Sequence, residues 1–247
     1  MRLLLINPNM TEAMTRAMNT VARSVAGDSA EIIPLTATRG FPYIASRAEA
    51  QISGANVLEM IAEHQHSADA VIVAAFGDPG LVAARELFDL PVVGMAEAAV
   101  MTAAMLGEQF SVVTFSPHMA RWYTDCVRQT GLSARFTGVR CPEIAPVSVD
   151  NVAEDLRDDL IALTRLATGV DGADVVIMGG APLAGLARNI ADEAPGLMID
   201  PVAAATAQAM SLVRLAPSYT RRVGRPAAKS SSGLSPALSA LIAGDPP

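Results

Sequence analysis

Three side chains could carry acid–base or nucleophilic chemistry in this chain: Asp78, Ser116 and His118. Asp78 follows an apolar run, and a carboxylate there can hold or move a proton. It can equally cap the helix that begins near Leu81. His118 stands in Ser116-Pro117-His118 and can act as a general acid or base near neutral pH, or face solvent at a helix start. Ser116 can be a nucleophile only beside a base, and His118 two residues on is the one on offer. Asn7 and Asn9 in Asn7-Pro8-Asn9 come straight after a buried strand, where a polar side chain is costly unless it binds something. Ser46 and Arg47 add a hydroxyl, which can also cap a helix, and a guanidinium suited to an anion. Backbone N–H groups around Phe76-Gly77 and Gly180-Ala181 can cradle an oxyanion without any side chain. Pro182 has no N–H and can only line the pocket.

Composition narrows the chemistry. The only lysine is Lys229, near the end of the chain, so a Schiff base or a phosphate-loop lysine inside a site is not expected. No G-x-G-x-x-G motif marks a dinucleotide site. His64 and His66 lie two apart on a helix and face different sides, and no His/Asp/Glu cluster has metal spacing, so neither a metal nor another cofactor is expected. Cys126 and Cys141 have no pairing framework and read as reduced thiols. The net charge of −7 argues against nucleic acid as a partner. No apolar run approaches the ~18 residues of a membrane span. Leu3-Leu4-Leu5-Ile6 is too short for a signal segment, so the expectation is a cytoplasmic protein with a small-molecule partner.

The elements that position these residues alternate between strand and helix. Apolar runs at 2–6, 31–35, 70–76 and 91–95 read as strands, separated by helices at 12–25, 47–66 (with a break near Ser53-Gly54), 81–88 and 96–106. The pattern then restarts. Strands are expected at 110–114, 138–141, 174–178 and 197–199, with helices at 118–130, 151–168, 183–194 and 201–213. Ile6 aligns with Thr114, Ala75 with Gly180, and Gly94 with Asp200, at nearly constant offset. The fold expected is α/β, with two pseudo-symmetric Rossmann-like halves. Each half has a mainly parallel sheet, and the ligand cleft lies between them. Residues 1–106, with the C-terminal helix packing back on them, form the first half and 107–213 the second. Residues 214–247 form a basic tail with a flexible 224–233 stretch. Its Leu234, Leu238, Leu241 and Ile242 make a helical apolar stripe able to dock. The cleft would be lined by Asn7, Asn9, Ala75, Phe76, Thr114, Ser116, Gly180 and Ala181.

The run Ile6-Asn7-Pro8-Asn9, Phe76-Gly77-Asp78-Pro79-Gly80-Leu81, Val93-Gly94-Met95-Ala96-Glu97-Ala98-Ala99, Phe110-Ser111-Val112-Val113-Thr114 and Ile199-Asp200-Pro201-Val202-Ala203-Ala204-Ala205 resembles the aspartate/glutamate/hydantoin racemase superfamily over residues 1–213. The similarity is nearest the hydantoin racemase branch. The resemblance implies a cofactor-independent enzyme, a homo-oligomer, and two cysteines facing each other across the cleft. One takes a proton from the stereocentre and the other returns one to the opposite face. The matching positions here are Ala75 and Gly180, which cannot transfer protons. The expectation is therefore a family member that acts on a small carboxylate or cyclic amide by oxyanion or enolate stabilisation, as isomerase, lyase or ring hydrolase. The alternative is a non-catalytic metabolite-binding or accessory protein.

Overall fold

The structure is a computed structural model that describes residues 1–219 and 224–244. Arg221, Arg222 and Asp245 of the tail lie outside the described residues. The first half runs β1 (Arg2–Asn7), α1 (Glu12–Ala26), β2 (Glu31–Thr36), α2 (Arg47–His64), β3 (Ala70–Val73), α3 (Leu81–Leu87), β4 (Val92–Gly94) and α4 (Met95–Leu106). The second runs β5 (Phe110–Val113), α5 (Ala120–Gln129), β6 (Phe136–Arg140), α6 (Val152–Asp155), α7 (Arg157–Gly169), β7 (Val175–Met178), α8 (Leu186–Asn189), β8 (Leu197–Ile199) and α9 (Pro201–Leu215). α10 (Pro236–Ala243) follows in the tail.

The strands pair in two sheets of the same topology, β2-β1-β3-β4 and β6-β5-β7-β8, and every pairing is parallel. Apart from Arg2 at the start of β1, the central strands are buried throughout, as continuous Val/Leu/Ile runs require when helices cover both faces. α9 packs on α1 and α4 of the first half, so the two halves share a core. α10 lies on α2, with Leu238 buried and Leu241 and Ile242 packed beside it, whereas Leu234 stays exposed.

Three expected elements differ. α2 runs unbroken through Ser53-Gly54. Gly54 is there for close approach: a Cβ on it would lie 3.0 Å from the Gly80 backbone nitrogen. The helix expected over 151–168 is kinked at Leu156 into α6 and α7, although the Leu156 N–H still donates to Val152 and the Leu160 N–H to Leu156. The helix expected over 183–194 shrinks to the four residues of α8. Gly185 adopts φ +89° and gives its N–H to the Asp200 carboxylate at 2.5 Å, which stops a helix starting earlier.

Candidate active site

In each sheet the chain leaves the first strand to one side and returns to the other. The crevice beyond the carboxyl ends of β1 and β3, and of β5 and β7, is therefore where such folds place ligands. The two crevices are built alike. The Ala74 N–H donates to Ile6 and the Gly179 N–H to Val113, both at 2.8 Å. Each strand then enters a tight turn, closed by Asp78 N–H to Ala75 O at 3.0 Å in one half and Leu183 N–H to Gly180 O at 3.0 Å in the other. Among the described residues, the N–H groups of Phe76, Gly77 and Ala181 find no backbone or side-chain acceptor.

The turns differ at one residue. Ala75 has an ordinary negative φ, whereas Gly180 sits at φ +125°, ψ 137°, a conformation that is essentially reserved for glycine. A Cβ built at Gly180 would lie 2.8 Å from the Phe115 ring and 3.5 Å from the Tyr123 hydroxyl. The space that a side chain at Gly180 would take thus belongs to Phe115 and Tyr123.

Aromatic rings close the cavity between the turns. Phe76 and Tyr123 meet at 4.5 Å between centroids, Trp122 and Tyr123 at 5.9 Å, and Tyr43 and Phe115 at 6.0 Å. The lining is Asn9, Tyr43, Ile44, Ala75, Phe76, Trp122, Tyr123 and Ala181, and about 10 Å³ of space remains, enough for roughly one water. Burial pushes the Tyr43 and Tyr123 phenols well above their usual range, so both stay neutral hydrogen-bond donors. Each influences the other, and Tyr123 also lies close to Thr114. Thr114 is fully buried, and among the described residues its hydroxyl has no partner within hydrogen-bond geometry.

The residues singled out from the sequence fall into distinct groups. Asn9, Ala75, Phe76 and Ala181 line the closed cavity. Asn9 Nδ2 has only the Met14 sulfur as partner, at 3.5 Å, and is the freest polar group there. Asn7 is held by the loop after β1 and by α1: its amide donates to Asn9 Oδ1 and Thr15 Oγ1 at 2.9 Å, and its oxygen accepts from the Asn9 N–H. Ser46 caps α2 by accepting from the Glu49 N–H, while Glu49 accepts from the Ala45 N–H, a reciprocal capping pair. Ser116 is buried, but His118 in the turn after it is exposed and does not line the cavity. Pro182 is half-buried next to Ala181. His64 is half-buried and His66 exposed.

Asp78 is half-buried with a left-handed backbone (φ 48°), and its two oxygens accept from the Ala96 and Glu97 N–H groups at 2.8 Å. It caps α4, not the nearer α3. Burial outweighs those bonds and raises its pKa to about 7. Gly94, where α4 begins, leaves room for it, because a Cβ there would fall on the Asp78 carboxylate. In the second half the carboxylate comes from the other side. Asp200 occupies the position of Gly94, accepts from Val202 and Ala203 of its own helix, and reaches back to Gly185. Its pKa is also raised by burial.

Outside the closed cavity lies an open cleft of about 630 Å³, bounded by α2, the loop 77–80, α3 and α5. Of the residues singled out from the sequence, Arg47, Gly77 and Asp78 line it. Arg47 pairs across the two halves with Asp125 of α5, its Nε at 3.1 Å. Trp122 faces both spaces. Sequence reasoning passed over Trp122 and Tyr123. The available signal was the single tryptophan of the chain at the head of a 122, 123, 126, 127 apolar stripe, all of which is buried. Cys126 shares that stripe, and burial raises its thiol to about 12; burial also raises half-buried Cys141. Among the described residues no helix is long and apolar enough to cross a membrane.

The chain matches the Asp/Glu/Hydantoin racemase family over residues 3–209. It is 33% identical to hydantoin racemase of Paenarthrobacter aurescens over 217 residues, covering 87% of this chain and 92% of that protein. Its structure is similar to allantoin racemase from Klebsiella pneumoniae, with TM-score 0.89 and 31% identity over 96% of this chain and 98% of the other. It is also similar to allantoin racemase from Pseudomonas fluorescens, with TM-score 0.85 and 32% identity over 94% and 100%.

Proposed function

The chain belongs to the Asp/Glu/hydantoin racemase family, and from that premise we propose that it binds a small cyclic amide or carboxylate at the strand ends and stabilises an oxyanion or enolate there. The reaction is an isomerisation, a lyase step or a ring hydrolysis, not a two-thiol racemisation. One observation carries this reading. The residues at the ends of β3 and β7, where the resemblance puts two thiols, are Ala75 and Gly180, and the backbone at Gly180 excludes a side chain. Inversion needs a proton-transfer group on each face of a planar carbanion, and neither position supplies one. Asp78, the nearest candidate by sequence, is occupied with the helix amides of α4.

What the strand ends do offer is donors. Phe76, Gly77 and Ala181 supply uncommitted N–H groups, and Tyr43, Tyr123 and Asn9 supply neutral polar groups. Donors in a water-poor pocket favour negative charge developing on a carbonyl oxygen.

The test is a chiral 5-substituted hydantoin incubated with the protein in deuterated water and followed by NMR and polarimetry. Conversion to a new product, with the proton retained at the stereocentre of unreacted substrate, is expected. Deuterium entering that centre as optical rotation decays would overturn the exclusion of racemisation, because it requires groups that remove and return the ring proton. Saturable binding with no conversion would instead leave a metabolite-binding protein.

A further inference from the structure

The closed cavity has room for about one water, yet the open cleft beside it is some sixty-fold larger, about 10 against 630 Å³. One side chain, Trp122, walls both. Its seat is unusual. The ring lies on Gly77, where a Cβ would overlap three of its atoms, and Gly77 is held at φ +124°. No other residue type leaves that seat open. Trp122 is 8% exposed, so it is shut in rather than displayed.

The helix that carries it is fastened from the opposite half. Asp125 lies one turn beyond Trp122 on α5, and it accepts from Arg47 of α2, and also from Arg128 on its own helix. The Arg47 side chain is 54% exposed and Asp125 36% exposed. An ion pair of that exposure holds weakly and is replaceable by other anions. Arg47 and Asp125 both face the open cleft, on the path an incoming molecule would take.

We propose that Trp122 is the specificity-determining residue of this site. It is a door between the outer cleft and the strand-end cavity, with the Arg47–Asp125 pair as its latch. A ligand bearing a carboxylate exchanges with Asp125 on Arg47, releases the Trp122 end of α5 from α2, and reaches the strand ends as the indole leaves Gly77. The inference rests on the strand-end reading of the site but concerns entry, not the reaction.

The chain has a single tryptophan, so acrylamide quenching of its fluorescence reports the door alone, with no substrate or activity needed. The native protein is expected to quench weakly. Arg47→Ala and Asp125→Asn, both at exposed positions, are expected to raise the quenching constant by up to about fivefold, the population shift that a surface ion pair can hold back. Gly77→Ala, which fills the seat, is expected to raise it at least as much. Sodium acetate is expected to raise quenching of the native protein more than sodium chloride at equal ionic strength, and the Arg47→Ala protein is expected to lose that difference. If the latch variants keep native circular dichroism and quench like the native protein, the door is overturned. If acetate does no more than chloride, carboxylate exchange is overturned. The deuterium experiment is independent of both results, so failure of the door and failure of the chemical reading are distinguishable.

Discussion

The two halves share a strand order and a turn at each strand end, yet they meet the same packing demand with different residues. In the first half, Asp78 reaches from the loop after β3 to the amides at the start of α4, over the vacant Cβ position of Gly94. In the second, the carboxylate has moved to the α9 side as Asp200, and glycine stands on the loop side at Gly185. The opening amides of a helix need an acceptor, and the space between loop and helix admits only one carboxylate. Which strand provides it is free. The strand ends show the opposite kind of divergence. There the turns superpose in hydrogen bonding, but one holds an ordinary alanine and the other a glycine-only conformation.

The sharpest way to break this comparison is to place a thiol at each strand end in turn. Gly180→Cys must leave φ +125° or push Phe115 aside, and is expected to cost about 2–6 kcal/mol, the sum of backbone strain and overpacking. Ala75→Cys carries no backbone strain and is expected to cost about 1–3 kcal/mol, the overpacking alone. Urea denaturation measures both, and equal costs would show that the turns are alike after all.

The next effect is electrostatic. Folding raises the Asp78 pKa from 3.8 to about 7, so the native state holds a proton that the unfolded chain releases. Its contribution to stability is complete below about pH 4 and is lost as pH rises through about 7. The total is up to about 4 kcal/mol at 1.36 kcal/mol per unit. Asp200 tilts the same way. Urea midpoints measured from pH 4 to 7.5 should fall, and Asp78→Asn should flatten the slope to the part owed to Asp200. An unchanged slope in that variant would show that Asp78 is not the source of the pH dependence.

The smallest effect tests the exchange itself. Gly94→Asp alone collides with Asp78 and Leu81. Combined with Asp78→Gly, it recreates the arrangement of the second half and should recover about 0.5–3 kcal/mol relative to additivity. A double-mutant cycle with no coupling would mean that the carboxylates are fixed by more than the space they share.

The alternation of elements and the doubling of the chain were legible because buried parallel strands leave continuous Val/Leu/Ile runs, and because the offset between halves is nearly constant. Family membership followed from the motifs at the strand ends. Residue roles were less legible, because they depend on partners remote in sequence. Asn7 reads as a ligand group until Thr15 and Asn9 are seen to consume it. Asp78 reads as a cap for α3, but its amides belong to a helix 18 residues on. Arg47 reads as an anion clamp, and its partner Asp125 is 78 residues away. The helix expected over 183–194 was lost to the left-handed Gly185, whose N–H donates to Asp200, a partner that no local pattern announces.

The contact between Gly54 and Gly80 has a mechanical consequence. Two backbones touch there, with no side chain between them to act as a spring. A displacement of α2 is therefore passed undamped to the loop 77–80, and so to the seat of the indole. α10 presses on that same α2, which makes the last helix of the chain the far arm of a lever whose near arm ends at the cavity.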